Sequence, residues 1–133
     1  MRAVLDANVL VSAALSQAGA PAALLERWLL GEFELVVSKG LLAEVERALA
    51  YPKIRARLPA DAAAGFVSLL LELAEFADDP EQGSTIRSRD PGDDYLVALA
   101  AAQRATLVSG DAHLLALAEV IPVVSPRAFL DSM

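Results

Sequence analysis

Ala3-Val4-Leu5-Asp6-Ala7-Asn8-Val9-Leu10-Val11 is an apolar run cut off by a carboxylate and followed at once by a second apolar run. Three apolar residues bounded by a polar break read as a buried strand, and the segment from Val9 to Ser16 reads as the helix after it. A strand that stops at an acid puts that acid at its carboxyl end, where open α/β sheets receive their ligands. Asp6 is equally suited to cap the following helix by accepting a backbone N–H bond.

Outward from this stretch the chain alternates strand and helix. Residues 2–5 predict the first strand. Pro21 opens a second helix, Ala22 to Leu30, which Gly31 ends. Phe33 to Val37 reads as a second strand, after which Ser38 caps a helix from Lys39 to Ala50, stopped at Tyr51-Pro52. Asp61 opens a longer helix with apolar positions at Phe66, Leu69, Leu70, Leu73 and Ala77, leading into a loop at Asp78-Asp79-Pro80. Gly83 to Ile86 reads as a third strand and Pro91-Gly92 as a turn. Asp93 starts a helix to Arg104 that is rich in Ala and Leu nearly all round and must therefore be buried. Thr106 to Ser109 is a fourth strand, Asp111 to Glu119 a short helix, Val120 to Val124 a fifth strand and Pro126 to Asp131 a closing helical turn. This order implies an α/β fold with three layers, α/β/α, around a mostly parallel sheet of about five strands with right-handed crossovers. Pro122 puts the last strand at an edge.

Residues 1–133 are expected to form a single domain, large enough to bury about two-thirds of the surface that the unfolded chain exposes. No apolar run reaches membrane-spanning length, and the start lacks a basic region followed by a sustained apolar segment, so a cytoplasmic location is expected. The absence of cysteine excludes disulfides, thiolate catalysis and cysteine-based zinc sites, and a single histidine, His113, cannot build a histidine-rich metal cluster. Any metal here is held by oxygen, which selects Mg²⁺ or Mn²⁺.

The acids that matter are spread along the chain. Asp6 and Asp111 each follow a strand, so both fall on the carboxyl edge of the sheet. Glu44 lies about two turns into the helix after the second strand and can reach back toward that edge. Helical geometry alone does not separate it from Glu46, because the two flank opposite sides of the apolar stripe Leu41, Leu42, Val45 and Leu49. Asp93 and Asp94 begin the buried helix. Each acid taken singly also serves as a cap or first-turn acid.

The formal net charge of −7 runs against nonspecific nucleic-acid binding, although acids gathered at one site are neutralised locally by divalent ions. Nine of the eleven basic residues are arginine, the side chain suited to forked phosphate contacts. They cluster at Lys53, Arg55 and Arg57 and at Arg87 and Arg89.

Four segments together resemble the PIN-domain nucleases. They are Val4-Leu5-Asp6-Ala7-Asn8-Val9-Leu10, Ser38-Lys39-Gly40-Leu41-Leu42-Ala43-Glu44, Arg89-Asp90-Pro91-Gly92-Asp93-Asp94-Tyr95-Leu96 and Leu107-Val108-Ser109-Gly110-Asp111-Ala112-His113-Leu114-Leu115. Each is short; their order and spacing carry the likeness, which is strongest to the prokaryotic, VapC-like toxins of toxin–antitoxin systems and extends to Val124-Ser125-Pro126-Arg127-Ala128-Phe129-Leu130. The resemblance implies that Asp6, Glu44, Asp93 and Asp111 are the four acids of the site, with Asp94 the register alternative for the third and Asp90 a weaker one. It implies orienting side chains at Asn8 and Ser109, and hydrolysis of RNA with Mg²⁺ or Mn²⁺ by a homodimer that a small antitoxin holds inactive.

The chemistry is consistent with that implication. Phosphodiester hydrolysis needs a hydroxide-like nucleophile and a means of absorbing developing charge, both of which a divalent ion supplies. Asp6, Asp93 and Asp111 are the expected first ligands, and Glu44 the group that binds a second ion or activates the water. Lys53, Arg55, Arg57, Arg87 and Arg89 are the expected contacts to the RNA backbone, orienting it without reading its sequence.

Other classes fit less well. There is no G-x-S-x-G elbow, P-loop or G-x-G-x-x-G. A haloacid-dehalogenase-type phosphatase needs a second acid two residues after the first, where this chain has Asn8, and a phosphoacceptor receiver needs a late lysine. The two alternatives that keep the fold are a PIN-like module that binds RNA or protein without cutting and a structure-specific DNA nuclease. Trp28, Leu29 and Leu30 are candidates for a dimer face, although core burial is the commoner fate of such residues.

Overall fold

The computed structural model describes residues 1–80 and 94–133, with Asp94 described by its backbone alone. The strands are β1 (Arg2–Leu5), β2 (Glu34–Val37), β3 (Glu75–Phe76), β4 (Thr106–Val108) and β5 (Val123–Val124). They pair in the order β3-β2-β1-β4-β5, and every pairing is parallel. β1 is central because its residues tolerate burial on both faces. Ala3, Val4 and Leu5 are almost wholly inaccessible, the unbroken apolar pattern that a parallel strand covered on both sides requires.

Helices fill the connections: α1 (Ala7–Leu15), α2 (Ala20–Leu29), α3 (Lys39–Leu49), α4 (Pro52–Arg55), α5 (Ala60–Leu73), α6 (Asp94–Gln103), α7 (Ala112–Leu115) and α8 (Pro126–Asp131). α1 packs on α2 and α3, α2 on α8, and α6 on β1 and β4. The reading of α6 as buried nearly all round holds for Leu96, Val97, Ala98, Leu99 and Ala100, whereas Ala101 and Ala102 in its last turn are exposed. At about 1.5–3 kcal/mol for each fully buried large apolar side chain, its two leucines and valine alone hold it firmly to the sheet. Phe33, just before β2, meets Phe129 of α8 edge to face at 5.3 Å, a favoured aromatic geometry.

Two helices end by the same device. After α2, Gly31 at φ 80° donates to the Trp28 carbonyl and Glu32 to the Arg27 carbonyl. After α6, Arg104 at φ 51° donates to Ala101 and Ala105 to Ala100. Both are left-handed terminations that satisfy carbonyls of the last turn, and arginine occupies the second where glycine is the usual residue.

The structure departs from the sequence reading at four elements, one of them the helix expected from Asp111 to Glu119, which covers only Ala112–Leu115. The helix expected to run through Ala77 stops at Leu73, because Ala74 is extended (φ −79°, ψ 156°), and Glu75–Phe76 joins β2 as the edge strand. Leu73 is consequently 57% exposed rather than part of the core. Two strand residues that continue an apolar helical pattern have no period of their own to betray them. The last strand is confined to Val123–Val124; the preceding residues make turns, and Val120 is exposed. α4 is an extra short helix that Pro52 starts at its first position, a place proline tolerates. The strand expected at Gly83 to Ile86 and the turn at Pro91-Gly92 lie outside the described residues.

At the amino edge of the sheet Arg2 ties four elements together. Its guanidinium hydrogen-bonds Glu75, Glu34 at 3.2 Å and the Gln103 carbonyl at 3.0 Å. The Glu75 hydrogen bond, with the neighbouring charges, raises the arginine above its ordinary value. It is therefore charged throughout the working range, and the ion pair brings no pH dependence from the arginine side.

Candidate active site

β1 and β4 run side by side with Leu5 opposite Val108, so the residues that follow them leave the sheet together at its carboxyl edge. The Asp6 amide donates to the Val108 carbonyl at 2.9 Å and the Ser109 amide to the Val124 carbonyl at 3.0 Å. Both side chains are buried, Asp6 with 5% of its surface exposed and Ser109 with none.

Ser109 joins the two acids. Its hydroxyl donates to Asp6 Oδ2 at 2.7 Å and accepts the Asp111 amide at 3.0 Å. A serine hydroxyl carries one proton, and here that proton is committed to Asp6, which makes the contact a charge-assisted bond. Each acid also caps the helix it precedes: Asp6 Oδ1 accepts the Asn8 amide at 3.4 Å, and Asp111 Oδ1 accepts the His113 amide at 2.7 Å. Capping and a place at the ligand edge thus coexist in the same side chains, one oxygen of Asp6 serving each neighbour. Asn8 meets Asp6 through its backbone, while its side chain is exposed; that contact does not depend on asparagine.

Glu44 lies on α3 and is half-buried, whereas Glu46 is exposed. The Tyr95 hydroxyl at the start of α6 donates to Glu44 Oε2. Glu46 instead lines a separate cavity of about 420 Å³ with Leu49, Arg55 and Ala63. The two glutamates that helical periodicity left equivalent therefore have different surroundings.

The start of α3 is doubly capped. Ser38 Oγ accepts the Leu41 amide at 3.2 Å, and Asp79, beyond β3, accepts the Gly40 amide at 2.8 Å. A β-carbon on Gly40 would lie 3.1 Å from both Asp79 carboxylate oxygens, so glycine allows the close approach without displacing them. Asp79 and Tyr95 are the two residues near the acids that sequence reasoning passed over. Tyr95 carried a signal, being the one side chain with a hydroxyl in a helix otherwise built of small and aliphatic residues. Asp79 carried none, since its partner lies 39 positions away.

Asp90 and Asp93 lie outside the described residues, as do Arg87, Arg89 and the side chain of Asp94. Among the described residues, no three Asp, Glu or His side chains gather as a metal cage. Ser109 Oγ bonds the Asp6 carboxylate and the Asp111 backbone amide, which links the two segments, and Glu44 is bonded to Tyr95 of α6. Lys53, Arg55 and Arg57 are not brought to the acids. They follow the far end of α3, a helix about 16 Å long whose first residues are at the carboxyl edge, and Arg55 is engaged there by the Leu49 carbonyl at 3.3 Å. Trp28 is in the core, whereas its neighbours Leu29 and Leu30 are 49% and 69% exposed. No single helix among the described residues is long and apolar enough to cross a membrane.

A family model described as PIN domain matches residues 2–113. No curated protein matches the chain in sequence. Among solved structures, VapBC2 from Rickettsia felis, bound to a DNA fragment from its promoter, is similar with a TM-score of 0.65 and 17% identity, over 94% of this chain and 98% of that one. A protein from Pyrobaculum aerophilum is similar with a TM-score of 0.69 and 18% identity, over 99% of this chain and 88% of that one. A PilT N-terminus domain protein from Sulfolobus solfataricus gives 0.54 and 13%, over 99% and 92%. Likeness at these identities speaks to the fold.

Proposed function

The chain belongs to the PIN-domain family, and from that premise we propose that it is a metal-dependent endoribonuclease acting as the toxin of a toxin–antitoxin pair. The observation that carries the reading is the buried Ser109 hydroxyl, which bonds the Asp6 carboxylate and the backbone amide of Asp111 at the carboxyl edge of the sheet. An acid held by a buried hydroxyl at the ligand edge of a parallel sheet is a costly arrangement for a role in capping alone.

The donors fit Mg²⁺ or Mn²⁺. They are carboxylate oxygens on one edge, and Mg²⁺ typically binds one or two carboxylates together with substrate phosphates and water. Asp6 and Asp111 would hold the ion, with Asp93, or Asp94 in the alternative register, as the third acid and Glu44 as the fourth. When bound, the ion supplies Lewis acidity that activates water and absorbs charge on the phosphate. The remaining work belongs to the chain. Ser109 keeps Asp6 in one orientation, the Asp111 cap keeps that acid at the head of α7, and Glu44 would bind a second ion or activate the attacking water. Lys53, Arg55 and Arg57, a helix length from the acids, would contact phosphates several nucleotides from the scissile bond, and Arg87 and Arg89 are proposed in the same role.

The proposed partners are an RNA substrate, a second copy of the chain and a small antitoxin, in a cytoplasmic setting. The antitoxin rests on the resemblance to VapC-like toxins and on the VapBC likeness of fold.

The deciding experiment compares wild type with Asp6→Asn on single-stranded RNA, duplex DNA and flapped DNA, with Mn²⁺ and with EDTA. Wild type should cut RNA only with Mn²⁺, and the variant should lose at least about 100-fold. Cutting of flapped DNA in preference to RNA replaces the substrate class. Binding of RNA by wild type with no metal-dependent cleavage overturns the enzyme reading in favour of a binding module.

A further inference from the structure

Tyr95 is in the first turn of α6 and Glu44 in the middle of α3, and the hydroxyl of one meets the carboxylate of the other across 51 positions of sequence. Both are half-buried. We propose that Tyr95 is a positioning residue for Glu44, holding that carboxylate in the orientation the nuclease site uses and fixing α3 against the start of α6. This rests on the nuclease reading above.

The surroundings of Glu44 show why a hydrogen bond is needed for the task. Of its neighbours three and four positions away on α3, Gly40 and Ala48 are too small to restrain it, and among the described residues Arg47 makes no ion pair with it. Gly40, Ala43, Arg47, Asp79 and Tyr95 line a cavity of about 360 Å³. A glutamate has three rotatable side-chain bonds and without a partner would sample several rotamers. Tyr95 has only two side-chain torsions before its hydroxyl, and its backbone belongs to a helix seated on β1 and β4 through Leu96, Val97 and Leu99. A rigid donor therefore holds a flexible acceptor. The bond occupies Oε2 and leaves the second carboxylate oxygen as an acceptor, and a neutral phenol against an ionised carboxylate makes a charge-assisted bond that is strong for its size.

Partners of this kind, which orient a ligand or base without touching the reacting atoms, typically account for about 10- to 100-fold in metal affinity or activity. Tyr95→Phe removes one oxygen and keeps the ring, so the helix packing survives. The variant should show kcat reduced about 10- to 100-fold with KM for RNA nearly unchanged. Mn²⁺ affinity read by calorimetry should not exceed that of wild type, and melting followed by circular dichroism should shift by only a few degrees. Wild-type kcat in Tyr95→Phe overturns the proposal, as does a loss matched by the fraction of unfolded protein. A second comparison places Tyr95→Phe on a Glu44→Gln background. If the hydroxyl acts through Glu44, it adds little further loss there, and a full independent loss overturns the proposal. Wild type that neither cuts RNA nor binds Mn²⁺ overturns the nuclease reading and this inference with it, whereas wild type that cuts beside an unimpaired Tyr95→Phe overturns this inference alone.

Discussion

Ser109 Oγ lies 2.7 Å from Asp6 Oδ2, a contact between residues 103 positions apart that solvent barely reaches. Removing the hydroxyl leaves a buried carboxylate oxygen short of its donor and the Asp111 amide short of its acceptor. Ser109→Ala should destabilise the fold by about 1–3 kcal/mol, measured by urea denaturation, and should lower RNA cleavage about 10- to 100-fold. A variant as stable and as active as wild type would show that the bond contributes nothing.

Asp6→Asn deletes the charge and keeps one carbonyl oxygen, which can accept from the Asn8 amide or from the Ser109 hydroxyl but not from both. Losing one of these bonds should cost about 1–3 kcal/mol, so cleavage is compared at a temperature where urea denaturation shows the variant folded. Asp6→Ala should be distinctly less stable, because it removes the cap and the partner of Ser109 together.

Binding to the folded state alone stabilises by mass action, about 2.7 kcal/mol at 100 times the dissociation constant. Mn²⁺ should therefore raise the melting temperature of wild type, EDTA should reverse the rise, and Asp6→Asn should show almost none of it. Equal shifts in both proteins would place the ion elsewhere.

Asp79 caps α3 from outside the helix. Asp79→Ala should cost about 0.5–2 kcal/mol, while Asp79→Asn, which can still accept from Gly40, should cost less. If thermal melts rank Asp79→Ala with wild type, the cap is energetically idle.

The two left-handed helix ends give opposite expectations. Gly31→Ala imposes a conformation that L-residues resist, at about 1–2 kcal/mol, with no steric neighbour to confuse the result. Arg104→Gly relieves the same strain and should stabilise, by up to about 1 kcal/mol. Denaturation midpoints moving in the same direction would refute this account.

How much of the molecule could be read beforehand followed from how local the signal was. β1, β2, β4 and α3 announce themselves by contiguous apolar runs and a capping serine, and the parallel order follows from the alternation. β3 could not be seen, because Glu75 and Phe76 become a strand only by pairing with Val36 and Val37, a relationship written in no short window. The same contrast holds at the site. Asp6 and Asp111 stand out as acids ending strands. The choice between Glu44 and Glu46 depends on Tyr95, and the role of Asp79 on Gly40; both are tertiary contacts that helical periodicity does not encode.

The brevity of β3 has a consequence for the molecule's life at high concentration. A sheet with open borders invites a stray chain to add itself as another strand. Here one border is two residues long, with Glu75 drawn into a cluster of charges by Arg2, and the other is a two-residue strand preceded by Pro122, which lacks an amide proton. Among the described residues neither margin offers a template long enough to seed fibrillar growth, which guards a chain with 56% hydrophobic residues where a parallel sheet is most vulnerable.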